Sequence, residues 1–194
     1  MSNTAAFSPL TAQEKSANVN GKKPGNDEGI AIAPVPDDVA LEIPQHNLGK
    51  PATIWDYRDA KRGLLQHVCR FILPDGEKED RPLTYREYKD GSRRWAYKGL
   101  AVPRPLYGLD RLAARPDAPV IVCEGEKATD VATNLFSDFV CVTSPNGAGS
   151  PHCADWMPLQ GRRVIIWPDH DDDGRKYAAG VAQLVIKVNK GSKS

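Results

Sequence analysis

Apolar residues are spread unevenly along the chain. Over residues 1–49 they are mostly small and lie among Ser, Asn, Gly, Lys, Pro and Asp, with no amphipathic period. Such a composition buries too little apolar surface to offset chain entropy, so a disordered leader is expected, with a short extended piece near Ile30 to Ile43. From Thr53 the pattern changes. Thr53-Ile54-Trp55-Asp56-Tyr57-Arg58 alternates apolar and polar residues, and Lys61-Arg62-Gly63 offers a turn. Leu64 to Leu73, Arg81 to Tyr88 and Arg93 to Tyr97 are further strand-like runs, punctuated by Pro74-Asp75-Gly76 and Lys89-Asp90-Gly91-Ser92. Period-two runs separated by Gly/Asp turns predict a small antiparallel meander over residues 50–116. A stiff Pro103-Arg104-Pro105 connector and a short helix near Leu109 to Ala114 close this region.

Beyond Pro119 the runs become continuously apolar. Val120-Ile121-Val122-Cys123 and Phe139-Val140-Cys141-Val142-Thr143 read as strands buried on both faces. Val164-Ile165-Ile166-Trp167 reads as a third buried strand. Helical stretches are expected over Ala128 to Leu135, near Ala154 to Leu159, and from about Tyr177 to Val188. Strand and helix in alternation predict an α/β unit over residues 117–190, with a parallel sheet flanked by helices and right-handed crossovers.

Composition narrows the class. Hydrophobic residues make up 40% and charged residues 26%, as in a soluble globular protein, and no apolar run approaches a membrane span. Met1 is followed by polar residues without a basic start or apolar core, so no secretory signal is read and a cytoplasmic location is expected. The four cysteines (Cys69, Cys123, Cys141 and Cys153) have no C-x-x-C spacing, which argues against a zinc site or a disulfide framework. Net charge is +1, yet residues 50–115 carry 15 Lys/Arg against 9 Asp/Glu, leaving 11 against 16 elsewhere. A basic middle followed by an acidic α/β unit suits a polyanion whose chemistry needs a metal. Basic residues interleaved with Trp55, Tyr57, Tyr85, Tyr88, Trp95 and Tyr97 are compatible with gripping single-stranded nucleic acid, although aromatics of a small sheet are more often core.

The acids fall where a parallel sheet places chemistry. Ligands bind at the carboxyl edge of such a sheet. The first strand ends in Glu124-Gly125-Glu126 and the third in Asp169-His170-Asp171-Asp172-Asp173-Gly174. If these strands are neighbours, Glu124, Asp169 and Asp171 converge. Hard oxygen donors in that number suit Mg²⁺ or Mn²⁺. Gly125 and Gly174 are read as residues that let the backbone bend sharply after each acid. The Asp-x-Asp-x-Asp-Gly run also matches the opening of a calcium loop. Position twelve is Gly180 where a glutamate is required, and a strand precedes the acids, so that reading fails.

A strand ending in Glu-Gly (Val120 to Gly125), followed by one ending in Asp-x-Asp-x-x-Gly (Asp169 to Gly174), resembles the Toprim domain of primases, topoisomerases, OLD-type nucleases and RecR-type repair proteins. The fuller wording, Val-Cys-Glu-Gly-Glu-Lys-Ala-Thr-Asp and Trp-Pro-Asp-His-Asp-Asp-Asp-Gly with Ser-Pro-Asn-Gly-Ala-Gly between, is similar to the primases of phages, plasmids and other mobile elements. So is Arg104-Pro105-Leu106-Tyr107-Gly108-Leu109. The resemblance covers about residues 117–188. It implies Glu124 as general acid/base or metal ligand and Asp169 and Asp171 as Mg²⁺ ligands, with Asp173 secondary. It further implies primer synthesis from ribonucleoside triphosphates on single-stranded DNA, and a replicative helicase as partner. Lys127 is a candidate for neutralising phosphate, and Arg93, Arg94, Lys98 and Arg104 are candidates for template or nucleotide contact on charge and position.

The pattern is departed from in three places. No zinc ribbon and no Gly-x-x-x-x-Gly-Lys-Ser/Thr loop are present, and the sequence stops soon after the last helix, where a Toprim domain usually adds a strand and helix. Two other functions therefore stand beside the primase: a Toprim-type nuclease, and a module that binds nucleic acid without transforming it.

Overall fold

The computed structural model describes residues 28–145 and 147–191. Two sheets organise them. In the first, β1 (Ile30–Ala31), β2 (Thr53–Arg58), β3 (Leu64–Ile72), β4 (Lys78–Glu87) and β5 (Arg93–Ala96) pair antiparallel in the order β1-β4-β3-β2, with β5 also on β4. The ten-residue β4 is shared along its length. Lys78 to Leu83 pair with β3, and Thr84 to Glu87 pair with β5. The aromatics of the meander are mainly core: Trp95 packs with Cys69, Phe71 and Leu83, while Trp55 and Tyr57 pack with Val68 and Tyr107 on the other face.

The leader expected to be disordered to residue 49 is ordered over residues 28–49; residues 1–27 lie outside the described residues. Its contacts are long-range. Val35 N–H donates to Leu64 O (2.7 Å), and Trp95 Nε1 donates to Ala40 O (2.9 Å). The His46 ring stacks on Phe71 at 5.1 Å. Ile30–Ala31 adds a short strand beside Arg86 and Glu87. Apart from that two-residue strand, the segment gains order by satisfying groups of the meander.

The second sheet is parallel, with order β7-β6-β8 for β6 (Val120–Cys123), β7 (Val140–Val142) and β8 (Val164–Trp167). Helices α1 (Leu109–Ala114) and α3 (Asp172–Lys190) and the segment around Trp156 cover one face, where Val120, Val122, Val140 and Val142 meet Leu112, Tyr177, Val181 and Val185. Helix α2 (Glu126–Leu135) covers the other, where Ile121, Cys123 and Cys141 meet Ala132 and Phe136. Both faces of β6 are thus sealed, which is why its sequence does not alternate.

Three expectations need correction. Strand β8 is an edge strand: Val164 and Ile166 pack inward, but Ile165 and Trp167 are each 47% exposed. An apolar run says nothing about which neighbour covers it. The helix expected over Ala154 to Leu159 is replaced by two single 3₁₀ turns, Pro151–Cys153 and Met157–Leu159, each with a proline in its first turn. Helix α3 also starts earlier than expected, because the Asp171 side chain accepts the Gly174 N–H (2.7 Å) and caps it. Cys69, Cys123, Cys141 and Cys153 are all free, and no described helix is long and apolar enough to cross a membrane.

Candidate functional site

Register decides where the acids go. Cys123 of β6 pairs with Trp167 of β8, so the two chains leave the sheet side by side on one edge. Glu124 follows directly, and its Oε2 accepts the Asp169 N–H at 3.1 Å. The first and third strands are indeed neighbours, and they bring Glu124 against the Asp169 backbone. Asp171 is committed to capping α3 through Oδ1. Asp173 lies exposed in the first turn of α3 and pairs with Lys176 at 2.8 Å, and Asp172 pairs with Arg175. Among the described residues, no group of three or more His, Cys, Asp or Glu side chains is gathered to hold a metal ion.

The two glycines of the motifs differ. A Cβ at Gly174 would collide with the Asp169 carbonyl oxygen, so the acidic turn folds back onto the first turn of α3 only because position 174 has no side chain. Gly125 is extended (φ −151°, ψ 170°), with open space where a Cβ would sit. The sharp bend expected there is absent, since any residue adopts that conformation.

Electrostatics follow from this placement. Burial pushes the Glu124 carboxyl up, and the charges of Asp169, Asp171 and Asp173 add to the shift, against the lowering by the Asp169 N–H. Asp173 is held below the usual carboxylate range by its bond to Lys176. Behind Glu124, the Tyr177 hydroxyl donates to Cys123 O (3.1 Å) and lies 2.9 Å from Ser144 Oγ, which is left to donate to it. One buried hydroxyl thereby fastens α3 to the ends of both β6 and β7.

A cleft of about 1000 Å³ opens between the two sheets. One wall carries Glu124, Gly125, Lys127, Val131, Trp167 and Asp169, and the other carries Arg70, Lys78, Asp80, Arg81 and Arg104. Arg70 is held by Asp80 through two bonds of 2.8 and 2.7 Å and lies over the Trp55 ring at 4.8 Å. Arg81 pairs with Glu79. Arg104 is locked by its backbone, which bonds Cys153 O and the Asp155 N–H (2.7 Å each).

Of the basic candidates, Lys127 and Arg104 line this cleft. Arg93, Arg94 and Lys98 are not among its lining residues. Arg93 pairs with Glu87, Arg94 lies over Tyr88 at 3.5 Å, and Lys98 pairs with Glu28. Arg70, Lys78 and Arg81 take that place instead. Only the sheet register shows that Arg70 and Lys78 share one face of the β3–β4 pair, while Arg81, opposite Cys69, belongs to the other face although it too borders the cleft.

The sheets are also latched through α2. Tyr57 OH donates to Glu126 Oε1 (2.7 Å), while Trp55 Nε1 (2.9 Å) and Tyr107 OH (2.8 Å) share the two oxygens of Asp130. Glu126 is 4% exposed, and desolvation raises its pKa although the Tyr57 bond opposes the shift. These acids carry no local signal of their role. Two of their donors, Trp55 and Tyr57, come from a strand some 70 positions earlier, and the third, Tyr107, lies 23 positions before Asp130.

No family model matches the chain, and no curated protein matches it. A chain of the solved complex of bacteriophage T7 lagging-strand DNA polymerase with primase domains of two gp4 subunits, bound to an RNA/DNA hybrid and dTTP, superposes with a TM-score of 0.44 at 18% identity. The match covers 68% of this chain and 59% of that one.

Proposed function

We propose that this chain is a Toprim-type nucleotidyl-transfer module of the primase kind, joining ribonucleotides along single-stranded DNA. One observation carries the reading: the strand-end acids Glu124 and Asp169 face Arg70, Lys78, Arg81 and Arg104 across a single cleft. A nucleotide polymer needs both walls. Its phosphates require cations, and its reacting centre requires carboxylates to accept protons and hold a counter-ion.

Glu124 and Asp169 offer the hard carboxylate oxygens that Mg²⁺ or Mn²⁺ takes, and since the described acids are not already gathered as a set of three, such an ion would keep several of its waters. Glu124 and Asp169 would hold the ion, with the second oxygen of Asp171 as a further donor. Bound there, the cation supplies Lewis-acid polarisation of a phosphoryl group. Desolvation makes Glu124 a stronger proton acceptor than an exposed carboxylate, so it takes the proton of the attacking hydroxyl. Lys127, in the first turn of α2, and the cleft arginines neutralise phosphate and fix the polymer's path.

A module that binds without reacting is favoured by a separate observation: Asp171 is spent on a helix cap and Asp173 on an ion pair. One assay separates the readings. The protein is incubated with single-stranded DNA, labelled ribonucleotides and Mg²⁺, beside Glu124→Gln and Asp169→Asn. Oligoribonucleotides that vanish in both variants support nucleotidyl transfer. Shortening of the DNA without synthesis replaces it with a nuclease, and binding alone, unchanged in the variants, leaves the non-catalytic module.

A further inference from the structure

The acidic wall of the cleft also carries an apolar strip that the proton and phosphate chemistry above leaves unused. Trp167 is 47% exposed and is the one exposed large aromatic among the described residues. It sits two positions before Asp169 on the edge strand β8, and its ring meets that of Phe136 in a T-shaped contact (5.1 Å, 63°) that braces it. Ala128 and the half-exposed Val131 of α2 line the same wall. Leaving an indole half in water costs apolar burial, and here it lies in a concave site beside the acids.

The opposite wall selects the occupant. Arg70 and Arg81 are already paired with Asp80 and Glu79, but Lys78 and Arg104 form no ion pair among the described residues and offer their charge to an anion, whereas Trp167 and Val131 suit a flat apolar face. A purely apolar partner surface leaves Lys78 and Arg104 unanswered, and a free polyphosphate leaves the indole unanswered. A nucleotide strand answers both, with bases on one side and phosphates on the other.

We propose that Trp167 is a stacking platform for a base of single-stranded nucleic acid, set beside the Glu124–Asp169 edge. This rests on the nucleic-acid reading of the cleft but not on catalysis. The braced ring takes the base face, Val131 borders it, and the cations opposite hold the flanking phosphates. Every base has a π face, so the contact is tolerant of sequence.

The test compares the intact chain with Trp167→Ala and Trp167→Phe, using fluorescence anisotropy at fixed salt. The probes are an oligothymidylate of about 12 nucleotides and an abasic strand of equal length. Wild type is expected to bind the base-bearing strand on the order of 10-fold more tightly than the abasic one. Trp167→Phe keeps most of that preference, and Trp167→Ala binds both strands alike. Trp55, Trp95 and Trp156 are 7, 5 and 3% exposed, so the acrylamide-quenchable emission belongs to Trp167 and should become protected on binding. The proposal is overturned if Trp167→Ala keeps the wild-type preference. It is also overturned if neither strand binds wild type, or if sedimentation shows a dimer that Trp167→Ala dissolves without any base preference. A base preference lost in Trp167→Ala, in a protein that makes no oligoribonucleotide, would instead remove the catalytic reading and leave the platform standing.

Discussion

Strand β6 lies between β7 and β8 with all four residues buried, and its end is fastened by the Tyr177 hydroxyl at Cys123 O. Strand β8 lies at the sheet edge, with Ile165 and Trp167 facing outward. The acids that follow it ride on a turn folded against the first turn of α3. The carboxylate after the central strand is half-buried and accepts the Asp169 N–H, while those after the edge strand are exposed, with Asp171 capping α3 and Asp172 and Asp173 ion-paired.

The contrast can be broken most forcefully at its glycines. Gly174→Ala drives a Cβ into the Asp169 backbone and should cost about 3 kcal/mol in urea unfolding, as overpacking does. Gly125→Ala meets open space in extended backbone and should cost only what a poorer N-cap costs, about 1 kcal/mol. Equal costs would mean that the two turns are built alike. Next come the strands themselves. Val122→Ala empties a sealed position and should cost about 2 kcal/mol, whereas Ile165→Ala, half exposed on the edge strand, should cost under about 1 kcal/mol. Tyr177→Phe removes the hydroxyl that fastens β6 and should cost about 1 kcal/mol. It should also raise amide exchange at Glu124 more than at Asp169.

The smallest effect concerns α2, which carries the turn after β6. Burial lifts the Glu126 pKa above its ordinary 4.5. The folded state therefore binds the proton more tightly than the unfolded chain, and stability falls as pH rises from about 4.5 through the raised value. Glu126→Gln keeps an acceptor for Tyr57 and removes the charge. The variant should be the more stable protein at pH 7, with its advantage shrinking toward pH 4 in parallel melts. A constant difference across that range would show that ionisation of Glu126 is not involved.

Much of this contrast was legible in the sequence. Continuous apolar runs locate β6 and β7, and the acids that follow β6 and β8 lie on one sheet edge, because strand direction alone carries them there. What stayed hidden depends on register and distance. The order of residues 28–49 comes from bonds such as Trp95 Nε1 to Ala40 O, between positions 55 apart, which no local pattern encodes. Charge density pointed to Arg93, Arg94 and Lys98, yet the pairing of β3 with β4 is what sets Arg70 and Lys78 on one face, at the cleft. The exposed face of β8 was missed because Ile165 and Trp167 are as apolar as their buried neighbours.

The central claim is that Glu124 and Asp169, at the ends of a sealed strand and an edge strand, form one divalent-cation site for phosphoryl transfer. The most direct measurement is a Mn²⁺ titration by electron paramagnetic resonance on wild type, Glu124→Gln, Asp169→Asn and Asp173→Asn. A shared site predicts saturable binding in wild type, weakened on the order of 10-fold or more by either of the first two changes and little altered by the third. Binding of equal strength in all four proteins, or none in wild type, would contradict it.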